Sequence, residues 1–157
     1  MPPSARLLAL LMLMSLVAWT IVTIVHVIPW LARQSQREAL LVVVTPHLFR
    51  HIGALALFPG IGSAPAEWSV PLAWGDGITA VLAALTMIAL HRTWAFAIPL
   101  AWVFNVFGIV DLLHNAVGAA VHVVAPTLGP AAYVVAFAVP GMLVCHGLVF
   151  RVLLRRS

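Results

Sequence analysis

The chain has 157 residues, 64% of them hydrophobic and 8% charged, with a mean hydropathy of +1.12. A water-soluble domain carries roughly 25% charged residues, so this composition excludes a chain that covers its own surface in water. The net charge of +4 comes entirely from scattered arginines, with no lysine and no basic stripe. That pattern argues against a nucleic-acid partner and for membrane topology. A single cysteine, Cys145, excludes an internal disulfide and a thiolate zinc cluster.

A spanning helix needs about 20 apolar residues, so the length accommodates five helices with short loops. The expected architecture is all-α: a transmembrane bundle of five helices forming one integral membrane domain over residues 1–157. The first predicted span runs over 7–30 and is followed by Arg33 and Arg37. Its apolar stretch exceeds the roughly 7–15 residues of a signal-peptide core, and no small-x-small cleavage site follows, so it reads as a retained helix. The second, 39–58, is broken by Pro46, His47, Arg50 and His51. The third covers 71–90, the fourth 95–120 and the fifth 131–154. Between them lie ordinary breakers: Pro59, Gly60, Gly62 and Pro65, then Pro126, Gly129 and Pro130. Ser69 before Pro71, and Gly129 before Pro130, fit proline in a first helical turn, while Ser15 and Ser35 have no nearby partner.

Five crossings sort the arginines. Arg33, Arg37, Arg92, Arg151, Arg155 and Arg156 fall on one side and only Arg6 on the other. Because positive residues stay cytoplasmic, the amino terminus is expected outside and the carboxyl terminus in the cytoplasm, in a cell (inner) membrane. If the second segment did not cross, that division would be lost. Trp30 and Trp94 then mark the inner boundary and Trp68 and Trp74 the outer one. Abundant Ala, Gly, Pro and Arg without Lys suggests a GC-rich bacterial gene.

Three charged residues fall within spans: Arg50, Asp76 and Asp111. Each costs about 2.5–3.5 kcal/mol near a helix centre, so they must pair, face water or lose their charge. At 1.5 Å per residue, Arg50, Asp76 and Asp111 lie about 12, 8 and 14 Å below the outer ends of their helices. One arginine between two carboxylates is the expected arrangement. On the fourth span, Gly108, Asp111, Asn115, Gly118 and His122 share an arc of roughly 80°, with Asn105 and His114 flanking it. His47 and His51 can reach the same layer, and Pro140 frees a backbone acceptor at similar depth. Asp76 has a second reading, as the cap of a helix starting at Gly77.

The histidines also invite metal or haem. His47 with His51 (i, i+4) and Asp111 with His114 (i, i+3) have ligand-like spacing, and His26 with His146 is a possible bis-histidine haem pair. No H-E-x-x-H motif supports either, and no catalytic residue, metal site or cofactor is expected.

The segments Phe49-Arg50-x-x-Gly53, Trp74-Gly75-Asp76, Asn105-x-x-Gly108-x-x-Asp111-Leu112 and Pro140-x5-His146 resemble, in order, those of a group of small bacterial multi-pass membrane proteins. The resemblance covers about Thr45 to Leu154, with Ala73 and His51 as departures. No activity attaches to that group. It implies that Arg50, Asp76, Asn105, Asp111 and His146 matter before the other histidines. The expected function is an outward-facing intramembrane site for a small polar ligand, ion or proton. Its residues are Arg50, Asp76, Asn105, Asp111, His114 and Asn115, with His146 as a further contact. The rivals are an accessory subunit whose ion cluster serves helix packing, and a metal- or haem-dependent membrane oxidoreductase. The lipid bilayer is the expected partner, together with further copies or a membrane complex, because a transport pathway is hard to enclose in so small a chain.

Overall fold

A computed structural model describes residues 2–58 and 63–155, and among them the secondary structure is entirely helical. Five helices are long and apolar enough to cross a membrane: α1 Pro3–Leu31, α2 Gln36–Leu57, α3 Ala66–His91, α4 Ala97–Val121 and α5 Ala131–Leu153. Pro59, Gly60, Gly62 and Arg156 lie outside the described residues.

Two helices depart from regular α geometry, each beside a proline. In α1 a π-turn occupies Thr23–Val27, directly before Pro29. The missing proline N–H leaves a carbonyl of the preceding turn unpaired, and wider winding absorbs that break. α2 starts on a capping box, contrary to the expectation for Ser35. The Glu38 N–H donates to Ser35 Oγ at 3.3 Å, and the Ser35 N–H donates to Glu38 Oε2 at 3.2 Å. From Thr45 to Leu57, beginning at Pro46, α2 tightens into a 3-10 helix of 13 residues. Such runs seldom exceed 3–4 residues.

α3 begins five residues before the expected position. Pro65 precedes its first turn and Pro71 lies inside the helix, so Ser69 is a buried helical residue rather than a cap. Asp76 is likewise mid-helix, which removes its reading as a cap.

The order of packing is α1 on α5, α5 on α4 and the first half of α2, and α3 between the second half of α2 and α4. Side chains tie one end together: Gln36 Nε2 donates to the Val152 carbonyl at 3.1 Å, and Arg155 Nη1 to that of Leu31 at 2.9 Å. At the opposite end the Ser63 N–H donates to the Thr127 carbonyl at 2.7 Å. The main core lies toward the first end, where Leu40, Val44, Ala83, Ala101, Phe104 and Val149 are buried together. Alanines at these contacts let helices approach closely. A smaller core of Trp68, Val124 and Leu128 closes the second end. Outer faces carry apolar side chains such as Val81, Val110, Val117 and Phe137, which fits a multi-pass membrane protein.

α3 and α4 end alike. Trp94 N–H reaches back to the Ala89 carbonyl, and Val124 N–H to that of Ala119, each at 3.0 Å. This closure places the intervening residue in the left-handed region: Thr93 at φ 58° and Val123 at φ 51°. A β-branched residue there is strained by roughly 1–2 kcal/mol. Val123→Gly is therefore expected to raise stability by about 0.5–1 kcal/mol after glycine's larger unfolded-state entropy is counted. An upward shift of the thermal unfolding midpoint in detergent checks this.

Candidate functional site

The 3-10 winding of α2 decides which residues face inward. Side chains three apart eclipse one another in this geometry, so His47, Arg50 and Gly53 form one column. His47 and Arg50 are buried and Gly53 half-buried, while Phe49, His51 and Ile52 are exposed. The spacing of four between His47 and His51 would share a face only in an α-helix. His51 instead turns outward, with Nδ1 2.9 Å from the Leu48 carbonyl. The metal-pair reading fails on that geometry.

Arg50 meets two carboxylates. Its Nε donates to Asp76 Oδ1 at 2.7 Å, and its Nη2 lies 2.6 Å from both Asp76 Oδ1 and Asp111 Oδ2. Nη1 donates to the Gly108 carbonyl at 2.9 Å and approaches His146 Nε2 at 3.3 Å. Every guanidinium nitrogen is engaged. The three charges share one level: at 2.0 Å per residue Arg50 lies about 14 Å from the Leu57 end of α2. By the α-helical rise, Asp76 and Asp111 each lie about 15 Å from the corresponding ends of α3 and α4. Asp76 is thus deeper than the sequence estimate, because α3 starts earlier.

Close helix approach makes this possible. A Cβ on Gly53 would land on the Asp76 carboxylate, and one on Gly75 on that of Asp111. Gly108 carries the carbonyl that Arg50 uses, and a Cβ there would crowd the His146 ring at 2.6 Å.

Around the charges lies a ring of amides and imidazoles. Asn115 Nδ2 donates to Asp111 Oδ1 at 3.0 Å, and its backbone carbonyl accepts from Trp68 Nε1 at 2.9 Å. Trp68 is therefore a buried anchor rather than a boundary residue. His146 is wholly buried, with Nδ1 2.7 Å from Asn105 Oδ1, and Asn105 Nδ2 donates back to the His146 carbonyl at 3.3 Å. An amide oxygen only accepts and a guanidinium only donates. The imidazole proton is accordingly assigned to Nδ1, and Nε2 presents its lone pair to Arg50. His47 stacks beside this ring, 4.1 Å between centroids, and meets Phe104 edge-on at 5.1 Å. Neither ring nitrogen of His47 has a partner among the described residues.

Of the expected site residues, the structure brings together Arg50, Asp76, Asn105, Asp111, Asn115 and His146. It does not bring in His114, which is exposed beside Asp111 in an outer groove of α4 with Trp102 and Phe107. His26 is exposed on α1, while both ring nitrogens of His146 are engaged inside the bundle. That geometry leaves the bis-histidine pair unsupported. One turn before Pro140, Trp19 Nε1 donates to the Phe137 carbonyl at 3.1 Å, docking α1 on α5. Among the described residues no group of three or more His, Cys, Asp or Glu side chains is arranged to hold a metal ion.

One side of the charge layer is closed by the main core. The other opens into a chamber of about 410 Å³, toward the end formed by the Ala125–Thr127 turn. Arg50, Gly53, Asp76 and Asn115 line its inner part, and apolar side chains of α1, α4 and α5 line the rest. No hydrogen bond reaches Asp76 Oδ2 among the described residues; Gly53, without a side chain, packs its backbone against that oxygen, and Asp76 lines the chamber.

Residues 7–154 match the family described as a domain of unknown function, DUF8737, and the chain belongs to it. The match takes in the first helix, which the resemblance read from sequence left out. No curated protein and no solved structure matches the chain.

The glycine contacts give a graded test. Gly53→Ala and Gly75→Ala place a methyl group against a carboxylate in a packed layer, an overpacking expected to cost about 1–3 kcal/mol. Gly77→Ala meets nothing within 4 Å and is expected to be tolerated. Comparing unfolding midpoints of the three variants in one detergent measures the difference.

Proposed function

We propose that this DUF8737 member is a multi-pass membrane protein with an outward-facing intramembrane site that takes up a proton or a small cationic ligand at the Asp76 and Asp111 layer. The observation that carries this reading is charge. One guanidinium faces two carboxylates, His146 presents a lone pair to it, and the layer as drawn retains one uncompensated negative charge next to an open chamber. In a low-dielectric interior such a charge is costly unless it is met by an opposite one. A proton or cation on the free oxygen of Asp76 meets it. Intramembrane ionisable residues in a bundle facing a cavity mark ligand or proton sites by default.

The arginines set the orientation. Arg33, Arg37, Arg92, Arg151 and Arg155 gather at the end opposite the chamber, so the positive-inside rule puts that end in the cytoplasm of a bacterial inner membrane. The chamber then opens outward.

The complete engagement of Arg50 favours a second reading, an accessory subunit in which the cluster only fixes how α2, α3 and α4 pack. The two readings part on protonation. Infrared difference spectra of the purified protein, recorded as pH is changed, are expected to show a protonated-carboxyl band that titrates and disappears in Asp76→Asn, which stays folded. A wild type without such a band, with Asp76→Asn and Asp111→Asn lowering folded yield alone, assigns the cluster to packing.

Orientation is tested separately in a Cys145→Ala background. Ser63→Cys is expected to react with a membrane-impermeant maleimide on intact cells, and Ala32→Cys only after permeabilisation. The reverse pattern inverts the topology.

A further inference from the structure

The chamber above the charge layer is too large and too apolar for a proton or a metal ion alone. Its volume, about 410 Å³, falls in the range of roughly 300–1,000 Å³ typical of small-molecule pockets. Leu8 and Met12 of α1, Leu112 of α4, and Val135, Val139 and Met142 of α5 supply walls fit for a hydrocarbon chain. Polar groups occur only at the inner part. We propose that the chamber binds a single-chain amphiphile whose head is a primary ammonium, seated on Asp76 with its apolar body along α1 and α5. The proposal rests on the reading of the charge layer as an occupied site and names the occupant.

The chemistry of the head follows from what hydrogen-bonding capacity is left over. Arg50 lines the chamber, but each of its nitrogens is already engaged. Asn115 donates to Asp111 and its carbonyl accepts from Trp68. At the inner part of the chamber the side-chain oxygens that receive no hydrogen bond from the described residues are Asp76 Oδ2 and Asn115 Oδ1, both acceptors. A head that fits must donate. An ammonium brings three N–H donors and the single positive charge that the layer lacks. A carboxylate or phosphate head brings more acceptors and adds a charge of the wrong sign.

Entry is sideways. α1, α2, α4 and α5 all line the chamber, yet α1 packs extensively only on α5 and on the Ala125–Thr127 turn. The seam between Ala5 and Ala9 of α1 and Phe49 and Ile52 of α2 is therefore not closed by helix packing, and Phe49 and Ile52 are exposed beside it. In a bilayer that seam faces lipid, where an amphiphile is already concentrated and aligned.

Binding of radiolabelled decylamine is measured in phosphatidylcholine nanodiscs, with decanoate and decanol as controls of the same chain length. Saturable binding of one decylamine per chain is expected, with decanoate and decanol at least about tenfold weaker, the discrimination of a charge-assisted hydrogen bond. Asp76→Asn is expected to weaken decylamine about tenfold or more. Ala138→Trp and Ala119→Trp, which fill the chamber from opposite walls, are expected to abolish binding while the titrating carboxyl band persists. Persistence of that band shows each variant folded. Phosphatidylethanolamine added to the disc, with its second chain and its phosphate, is expected to leave decylamine bound; displacement overturns the single-chain ammonium reading. Equal binding of all three decyl compounds, or undiminished decylamine binding in both tryptophan variants, overturns the proposal and leaves the proton site standing. Loss of the carboxyl band in the wild type removes the underlying site instead.

Discussion

Arg50 held between Asp76 and Asp111 is the interaction on which the arrangement of α2, α3 and α4 depends. Each of the three charges alone costs about 2.5–3.5 kcal/mol at a helix centre in hydrocarbon. Together and unpaired they would cost an amount comparable to the whole stability of a typical domain. Brought within 2.6–2.7 Å, they offset one another, but only if three helices meet at one level. That requirement explains the glycines. Gly53 and Gly75 each sit where a methyl group would collide with a carboxylate, and Gly108 presents its carbonyl to Arg50. The ion cluster sets the distance between the helices, and the glycines permit it.

The unusual winding of α2 serves the same geometry. An α-helix from Thr45 to Leu57 would rise 1.5 Å per residue and swing His47 and Gly53 about 60° to opposite sides of Arg50. The 3-10 form stretches the segment and aligns the three. Propensity gives no reason for a run of 13 residues. Pro46 at its start removes one donor, and the remaining stabilisation comes from tertiary contacts: His47 against Phe104 and His146, and Arg50 against both carboxylates. Among the described residues His47 has no hydrogen-bond partner at the rim of this network, a cost tolerated where the column beneath it is fixed.

Much of this was legible in the sequence, for identifiable reasons. Five spans follow from runs of apolar residues whose length is set by the bilayer, and their bounds shift by only a few residues except at α3. There Pro71 was read as a first-turn proline, although the helix starts at Ala66 and carries it within. The convergence of Arg50 with Asp76 and Asp111 was legible because hydrocarbon leaves isolated charges no alternative. Asn115 follows from its position on the α4 stripe, Asn105 from a flanking position and the resemblance, and His146 from the resemblance. His114 lies beside Asp111 but on its outer side, because a flanking position on a helical wheel does not say which side a neighbour occupies. The roles of Gly53 and Gly75 were illegible: a glycine's function in close packing depends on what stands opposite it. The 3-10 winding hid the column of His47, Arg50 and Gly53, since a period of 3.6 was assumed. Ser35 was a missed signal of another kind, because Ser-x-x-Glu before an apolar run is a local motif.

A layer that fastens three helices and a layer that binds a ligand are not opposed designs. Fastening consumes the donors of Arg50 and the inner oxygens of the carboxylates, and it fixes every side chain involved. What remains after fastening is a surplus: one negative charge, one unmet carboxylate oxygen and the chamber that exposes it. A purely structural cluster would be more stable with a single carboxylate, because a second acid adds desolvation cost without a second cation to offset it. That surplus is what the proposed occupant would meet, on the chamber side of a layer whose outer side has the His114 imidazole beside Asp111. For the proposed site, rigid surroundings would give selectivity for charge, since every guanidinium nitrogen of Arg50 is already engaged and cannot turn toward an anion. In the proposed site specificity is thus a by-product of packing: the same contacts that make the bundle tight leave acceptors facing the cavity.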